Sequence, residues 1–229
     1  MIRLTRADFK GPALLVALSL VPILGGVARL ASLSDAAEVG ADDARFFAAP
    51  MPVVLHVVAA TIYALLGAFQ FSTGIRLLWR AWHRRAGVLL LACALLTAAT
   101  GIWMTAAYAI PHSLQGPLLY GVRLVVGVAM LTAIVKGWAS IVRRDLAEHE
   151  AWMIRAYALA QGAGTQAVIF LPLMLIISGP VLGLTRDVLL SAAWVVNIVA
   201  AEWIIRRRRR GYERAPSRTT ELAAATNGS

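Results

Sequence analysis

The chain has 229 residues, 59% hydrophobic and 15% charged, with a mean hydropathy of +0.71. A soluble domain runs at roughly 45–50% apolar and 25% charged, so this balance is that of a membrane protein and leaves too little polar chain for a separate soluble domain. The single cysteine, Cys93, excludes an intramolecular disulfide and multi-thiolate metal sites. The net charge of +10 does not read as nucleic-acid binding, because the run "RRRRR" at 206–210 directly follows an apolar segment; arginines there stop translocation and meet the anionic membrane surface.

A spanning helix needs about 20 mostly apolar residues, and six stretches qualify in chain order: about 11–31, 52–75, 86–108, 118–140, 152–178 and 187–205. The expected fold is an all-α integral membrane bundle of six transmembrane helices, a domain of residues 1–210 with a disordered tail at 211–229. The first stretch also has the basic start and small Gly26 and Ala28 of a signal peptide, but its apolar core exceeds the usual 7–15 residues, which favours an uncleaved helix. Pro50 and Pro52 mark the entry to the second span, where a missing N–H costs nothing. In the fifth, Asp145 and Glu148 form an N-cap and capping-box pattern, so that helix should begin near Leu146, with Trp152 at headgroup level and a kink at Pro172. No internal repeat appears.

Sorting the basic residues gives a topology. With the N-terminus inside, seventeen arginines and lysines fall on the cytoplasmic side and three outside (Arg29, Arg45 and Arg186), while Asp35, Glu38, Asp42, Asp43 and Asp187 are external. Both termini are therefore expected in the cytoplasm.

Polar groups inside apolar spans carry the functional information, because each costs free energy unless it faces the bundle interior. On the second span His56, Tyr63, Gly67, Gln70 and Gly74 fall near one face, either as a packing seam or as a site. The fifth carries a stripe of Arg155, Ala158, Gly162 and Gln166, with Gln161 and Thr165 as a second pair; the sixth adds Asn197 and Glu202. Glu202 lies four positions before the arginine run and Arg155 just inside the same boundary, so the two should share a depth and pair. Arg123 is expected to snorkel outward or to meet an external acid.

The histidines divide by side, with His56 and His112 external and His83 and His149 cytoplasmic. His83 and His149, at the starts of the third and fifth spans, could face each other as haem b ligands, with His56 a further candidate ligand; a divalent metal held by His83, His149 and Glu150 is an alternative, and plain hydrogen bonding is the simplest reading. No phosphate-loop or nucleophile-elbow motif is present.

Four segments together, "LHVVAATIYALLGAFQF" (55–71), "HRRAG" (83–87), "HEAWMIRAYAL" (149–159) and "WVVNIVAAEWIIRR" (194–207), resemble a bacterial family of predicted multi-pass membrane proteins classed as a domain of unknown function. Its pattern falls on His56, Gln70, His83, Arg84, Gly87, His149, Trp152, Met153, Arg155, Tyr157, Asn197 and Glu202. The resemblance implies a place in the bacterial cytoplasmic membrane and supplies no reaction. The family commonly carries an arginine where Gln166 and Ala167 stand here. The expected site is a cytoplasmic polar cluster of Gln70, His83, Arg84, His149, Arg155, Tyr157, Asn197 and Glu202. Haem b binding with membrane electron transfer is its leading use. A small-solute or proton transporter and a structural subunit of a membrane complex are the alternatives.

Overall fold

In the computed structural model, residues 4–34, 43–177 and 179–214 are described, the last four by their backbone alone. Asp35, Glu38, Asp42 and the tail after Arg214 lie outside them. The described chain is helical: α1 (Arg6–Ser34), α2 (Ala44–Ala48), α3 (Pro50–Gln70), α4 (Thr73–Leu78), α5 (Arg80–Ala107), α6 (Pro117–Val142), α7 (Leu146–Ala160), α8 (Gly162–Ile177) and α9 (Gly183–Arg214). Six spans are long and apolar enough to cross a membrane: α1, α3, α5, α6, α7 with α8, and α9.

The core lies where α3, α5, α6 and α7 meet, with α9 packed along α6, α7 and α8. It is built largely from small residues such as Ala59, Ala94, Ala98, Ala133 and Ala156, which is how helices approach closely where lipid supplies no hydrophobic drive. Tyr63, Phe71 and Tyr157 meet there, with the Tyr157 ring tilted against Tyr63 at 5.5 Å and edge-on to Phe71 at 5.1 Å. Gly67 is needed beneath that ring, since a Cβ there would stand 2.7 Å from Tyr157 Cε2. α1 lies at the edge, against α3 and α8.

Three boundaries differ from the hydropathy reading. The second span stops at Gln70 rather than near 75, and Ser72 caps the separate α4 by accepting from Ile75 N at 3.4 Å, while Asp8 of α1 accepts from Gly74 N at 3.1 Å. α5 begins at Arg80, before the apolar stretch starts. The fifth span is divided at Gln161, and Pro172 sits within α8. At the division Asn197 Nδ2 donates to Ala158 O at 3.0 Å, and Trp194 Nε1 donates to Leu159 O at 3.1 Å. Side chains of α9 thus satisfy carbonyls that an interrupted ladder would leave bare in lipid. Contact with α9 requires Gly162, where a Cβ would fall 2.0 Å from Trp194 Nε1.

The N-cap at Asp145 forms as the sequence suggests, its carboxylate accepting from Glu148 N at 2.9 Å. The reciprocal half of the box does not. Glu148 turns instead to Arg143 at 2.7 Å and to Trp152 Nε1 at 3.3 Å.

Candidate functional site

The described starts of α1 and the end of α9 lie at one end of the bundle, together with α4 and the α6–α7 turn. Asp8 reaches α4 there, and Arg208 reaches Glu150 of α7. This is the arginine-rich end, and it holds most of the residues that the sequence singles out.

Arg155 and Glu202 meet there in a two-point contact: Nε donates to Oε1 at 2.6 Å and Nη2 to Oε2 at 3.0 Å. The parallel fork is the strongest geometry an ion pair offers, and it joins α7 to α9. The Arg155 guanidinium also lies 4.6 Å from the centre of the Trp152 ring, which Lys136 approaches at 4.7 Å. One turn nearer the terminus of α7, Glu150 Oε1 accepts from Arg76 of α4 at 3.3 Å and from Arg208 of α9. Its side chain is only 12% exposed, so two guanidiniums answer one sheltered carboxylate. The carboxylate is thereby committed.

His149, on the same helix, directs Nδ1 to the carbonyl of Gly137 at 2.8 Å, leaving Nε2 as its available nitrogen. The absence of a side chain at Gly137 brings α6 this close, because a Cβ there would lie 2.2 Å from Met153 Cε. His83, on α5, lies within electrostatic reach of Arg76 and His149. Its Nδ1 is buried without a hydrogen-bond partner, and so is Gln70 Nε2 at the end of α3. Arg84 is exposed on α5.

The residues expected in a single cluster therefore occupy separate places. Arg155 with Glu202, and His83, His149 and Gln70, belong to the arginine-rich end. Tyr157 and Asn197 do not. Tyr157 donates to Ala64 O at 2.6 Å and accepts from Gln161 Nε2 at 2.9 Å, and Gln161 also exchanges hydrogen bonds with Ser19 of α1. Asn197 accepts from Thr165 at 2.7 Å beside the divided span. His56 stands far from His83 along antiparallel helices: its Nδ1 lies 3.0 Å from Thr100 Oγ1, near the other end of α5. It cannot join the pair. Gln166 donates to Leu190 O at 3.1 Å, so it ties α8 to α9.

The opposite end holds what the sequence reading missed. Asp187, 1% exposed, accepts from Gly116 N at 3.1 Å and from Leu119 N at 3.2 Å. It caps α6 from another helix, in place of a side chain that Gly116 lacks. Arg123 donates not to an acid but to the amide oxygen of Gln115. His112 is exposed. No local motif announces a cap supplied from 68 to 71 residues away; the only sign was an aspartate at the foot of an apolar helix.

A metal shared by His83, His149 and Glu150 finds no support, since Glu150 is already bound by two arginines. Among the described residues no group of three or more His, Cys, Asp or Glu side chains is gathered for a metal. Haem b would need a slot of several hundred Å³ between its imidazoles. A shallow depression among the described residues, between α7 and α9 beside Glu150, Ile154, Ile205 and Arg208, has about 10 Å³, room for one water. Haem binding finds no support in this geometry.

Over residues 53–205 the chain matches the family described as "Predicted membrane protein (DUF2306)". The chain belongs to that family. No curated protein and no solved structure matches the chain. The matched region runs from the first turn of α3 to Ile205 and so takes in α3 through most of α9, with the Arg155–Glu202 pair, His83 and His149; α1 lies before it. The family description states a membrane protein and no reaction, so DUF2306 membership fixes the class of the molecule and leaves its chemistry to the side chains.

Proposed function

We propose that this protein spans the bacterial cytoplasmic membrane with both termini in the cytoplasm, and that it handles a proton or small hydrogen-bonding solute at the arginine-rich end. The orientation rests on the seventeen-to-three bias of basic residues. α1 is taken as retained, because Ser19, buried to 2% exposure, is hydrogen-bonded to Gln161.

One observation carries the reading. Buried polar atoms are nearly always paired, yet Gln70 Nε2 and His83 Nδ1, both where α3 gives way to α4 and α5, have no partner. A small ligand bridging them would remove that cost. Imidazole is the side chain best suited to exchange a proton near neutral pH, and His83 and His149 are the imidazoles at this end, so they are assigned the proton. Arg155–Glu202 and Arg76–Glu150–Arg208 hold α4, α7 and α9 around them.

A second reading, haem b between His83 and His149 with membrane electron transfer, draws on the state of His149. A histidine whose Nδ1 is fixed by a carbonyl presents Nε2 in one orientation, as axial ligands do. It would require the core side chains to part. An optical spectrum of protein produced with ample haem separates the two. Proton-driven uptake in proteoliposomes that His83→Ala and His149→Ala each abolish, with no Soret band, supports the first reading. A Soret band lost in both variants replaces it with the second, and neither signal overturns both.

A further inference from the structure

The end away from the arginine run carries its own concentration of cations, and one acid, Asp187, lies within electrostatic reach of both Arg123 and Arg186. α6 begins with Pro117 after Gly116, so its first N–H groups have no local cap; Asp187 of α9 supplies one and spends both oxygens doing so. Arg123, two turns along α6, is left with neutral Gln115 as its hydrogen-bonding partner. Gln115 is itself 7% exposed, its amide nitrogen 3.5 Å from Thr105 O. Arg186 donates Nε to Leu114 O at 3.1 Å, on the same short connection. Arg45 lies 4.6 Å from the centre of the Phe46 ring, and its Nε is buried without a partner. Both Arg45 and Arg186 are within electrostatic reach of Arg123. The nearby Asp43 is paired with a different cation, Arg29, at 2.8 Å.

Three guanidiniums therefore gather at the membrane boundary around one carboxylate whose oxygens face the backbone. One carboxylate among three partly buried guanidiniums leaves two positive charges uncompensated, and that is costly. A second sign points the same way: Ser191, one turn after Asp187 on α9 and so on the same face, has a buried hydroxyl with no partner. The four buried polar side-chain atoms without partners among the described residues thus divide evenly between the two ends of the bundle, and this end contributes Arg45 Nε and Ser191 Oγ.

We propose that Arg45, Arg123 and Arg186, with Gln115 and Ser191, form a site for a phosphate group. The guanidinium fork matches phosphate oxygens, and a surplus of two positive charges matches a phosphate monoester, which carries about −1.5 to −2 at neutral pH. The group could be presented by a free phosphate compound or by a phospholipid whose headgroup ends in a phosphate monoester, as in phosphatidic acid, since the site lies at headgroup depth.

The test uses the full chain in detergent. Thermal unfolding is followed against inorganic phosphate, with chloride at equal ionic strength as the control, and co-purified lipid is read by native mass spectrometry. A phosphate-specific rise in midpoint is expected, with apparent affinity weakened about tenfold or more in Arg123→Gln and Arg45→Gln. Arg45 is in the five-residue α2, outside the spanning helices, so its variant reports even if Arg123→Gln fails to fold. Silence toward inorganic phosphate combined with bound phospholipid that Arg45→Gln releases assigns the site to lipid. Equal responses to phosphate and chloride, with the same lipid retained by wild type and Arg45→Gln, overturn the proposal.

Discussion

Asp187 and Glu202 are carried by one helix, near its two ends, and they do different work. Glu202 faces a guanidinium in a two-point contact and remains 33% exposed; Asp187 is 1% exposed and faces two backbone N–H groups. Around Glu202 the carboxylates of Glu148 and Glu150 also answer arginines, whereas around Asp187 an arginine has to make do with an amide. Charge near a membrane surface therefore has at least two uses, joining helices to each other and closing the open end of one. Between Asp187 and Glu202 burial marks the difference, because a backbone group shut away from water has no other partner to turn to.

The comparison is tested most severely at Asp187. Asp187→Ala leaves the first N–H groups of α6 unpaired in a buried place and should cost about 3 kcal/mol, read as a large fall in thermal midpoint in detergent. Asp187→Asn keeps one acceptor and should recover part of it. If Asp187→Ala unfolds like wild type, water reaches that helix end and the contrast with Glu202 disappears.

Next in size is the joint between the two ends. Gly162→Ala would drive a methyl against Trp194 Nε1, 2.0 Å away, and weaken its bond to Leu159 O. Overpacking of this kind costs about 1–3 kcal/mol. Gly121→Ala in α6, whose added Cβ meets nothing within 4 Å, is the control and should be neutral or slightly stabilising. Hydrogen exchange should show the loss concentrated around residues 158–165. A uniform loss would mean that the division of the fifth span is not held by α9.

Glu202→Gln comes third. It leaves Arg155 without its counter-charge but within reach of water and of the Trp152 face, since the two side chains are 24% and 33% exposed. The cost should be about 1–2 kcal/mol, between the values for surface and buried pairs. Exchanging the two residues, Arg155→Glu with Glu202→Arg, should restore part of it.

How much of this was legible depends on the range of the interaction. Six spans follow from local apolar length, and they appear. The Arg155–Glu202 contact could be anticipated because depth in a bilayer can be counted along a helix: four residues before the arginine run, and just inside the boundary. The same count set His56 apart from His83 and His149, but it fixes depth and leaves lateral partners open; Thr100 is the partner of His56 and no count along α3 names it. The division at Gln161 was invisible because Pro172 is the louder signal, and the break is stabilised by Ser19, Trp194 and Asn197 from two other spans. Asp187 looked like an exposed acid for a similar reason. Its function is set by what Gly116 lacks, and that is a fact about a different helix.

Smallest of the expected effects is the loss of Arg143, which shows why distance alone does not rank these contacts. The Arg143–Glu148 pair is 2.7 Å long, as short as the Arg155–Glu202 contact within a tenth of an ångström, yet its side chains are 60% and 36% exposed. Water competes for both charges, and ordering two long side chains offsets most of the remaining attraction. Arg143→Ala should therefore change stability by less than about 0.5 kcal/mol, and that small change should fade further in high salt. Glu202→Gln should keep most of its effect in the same salt, because its partner is sheltered between α7, α9 and the indole of Trp152. Equal losses from the two substitutions, or equal fading with salt, would mean that exposure is not what separates the contacts of this bundle.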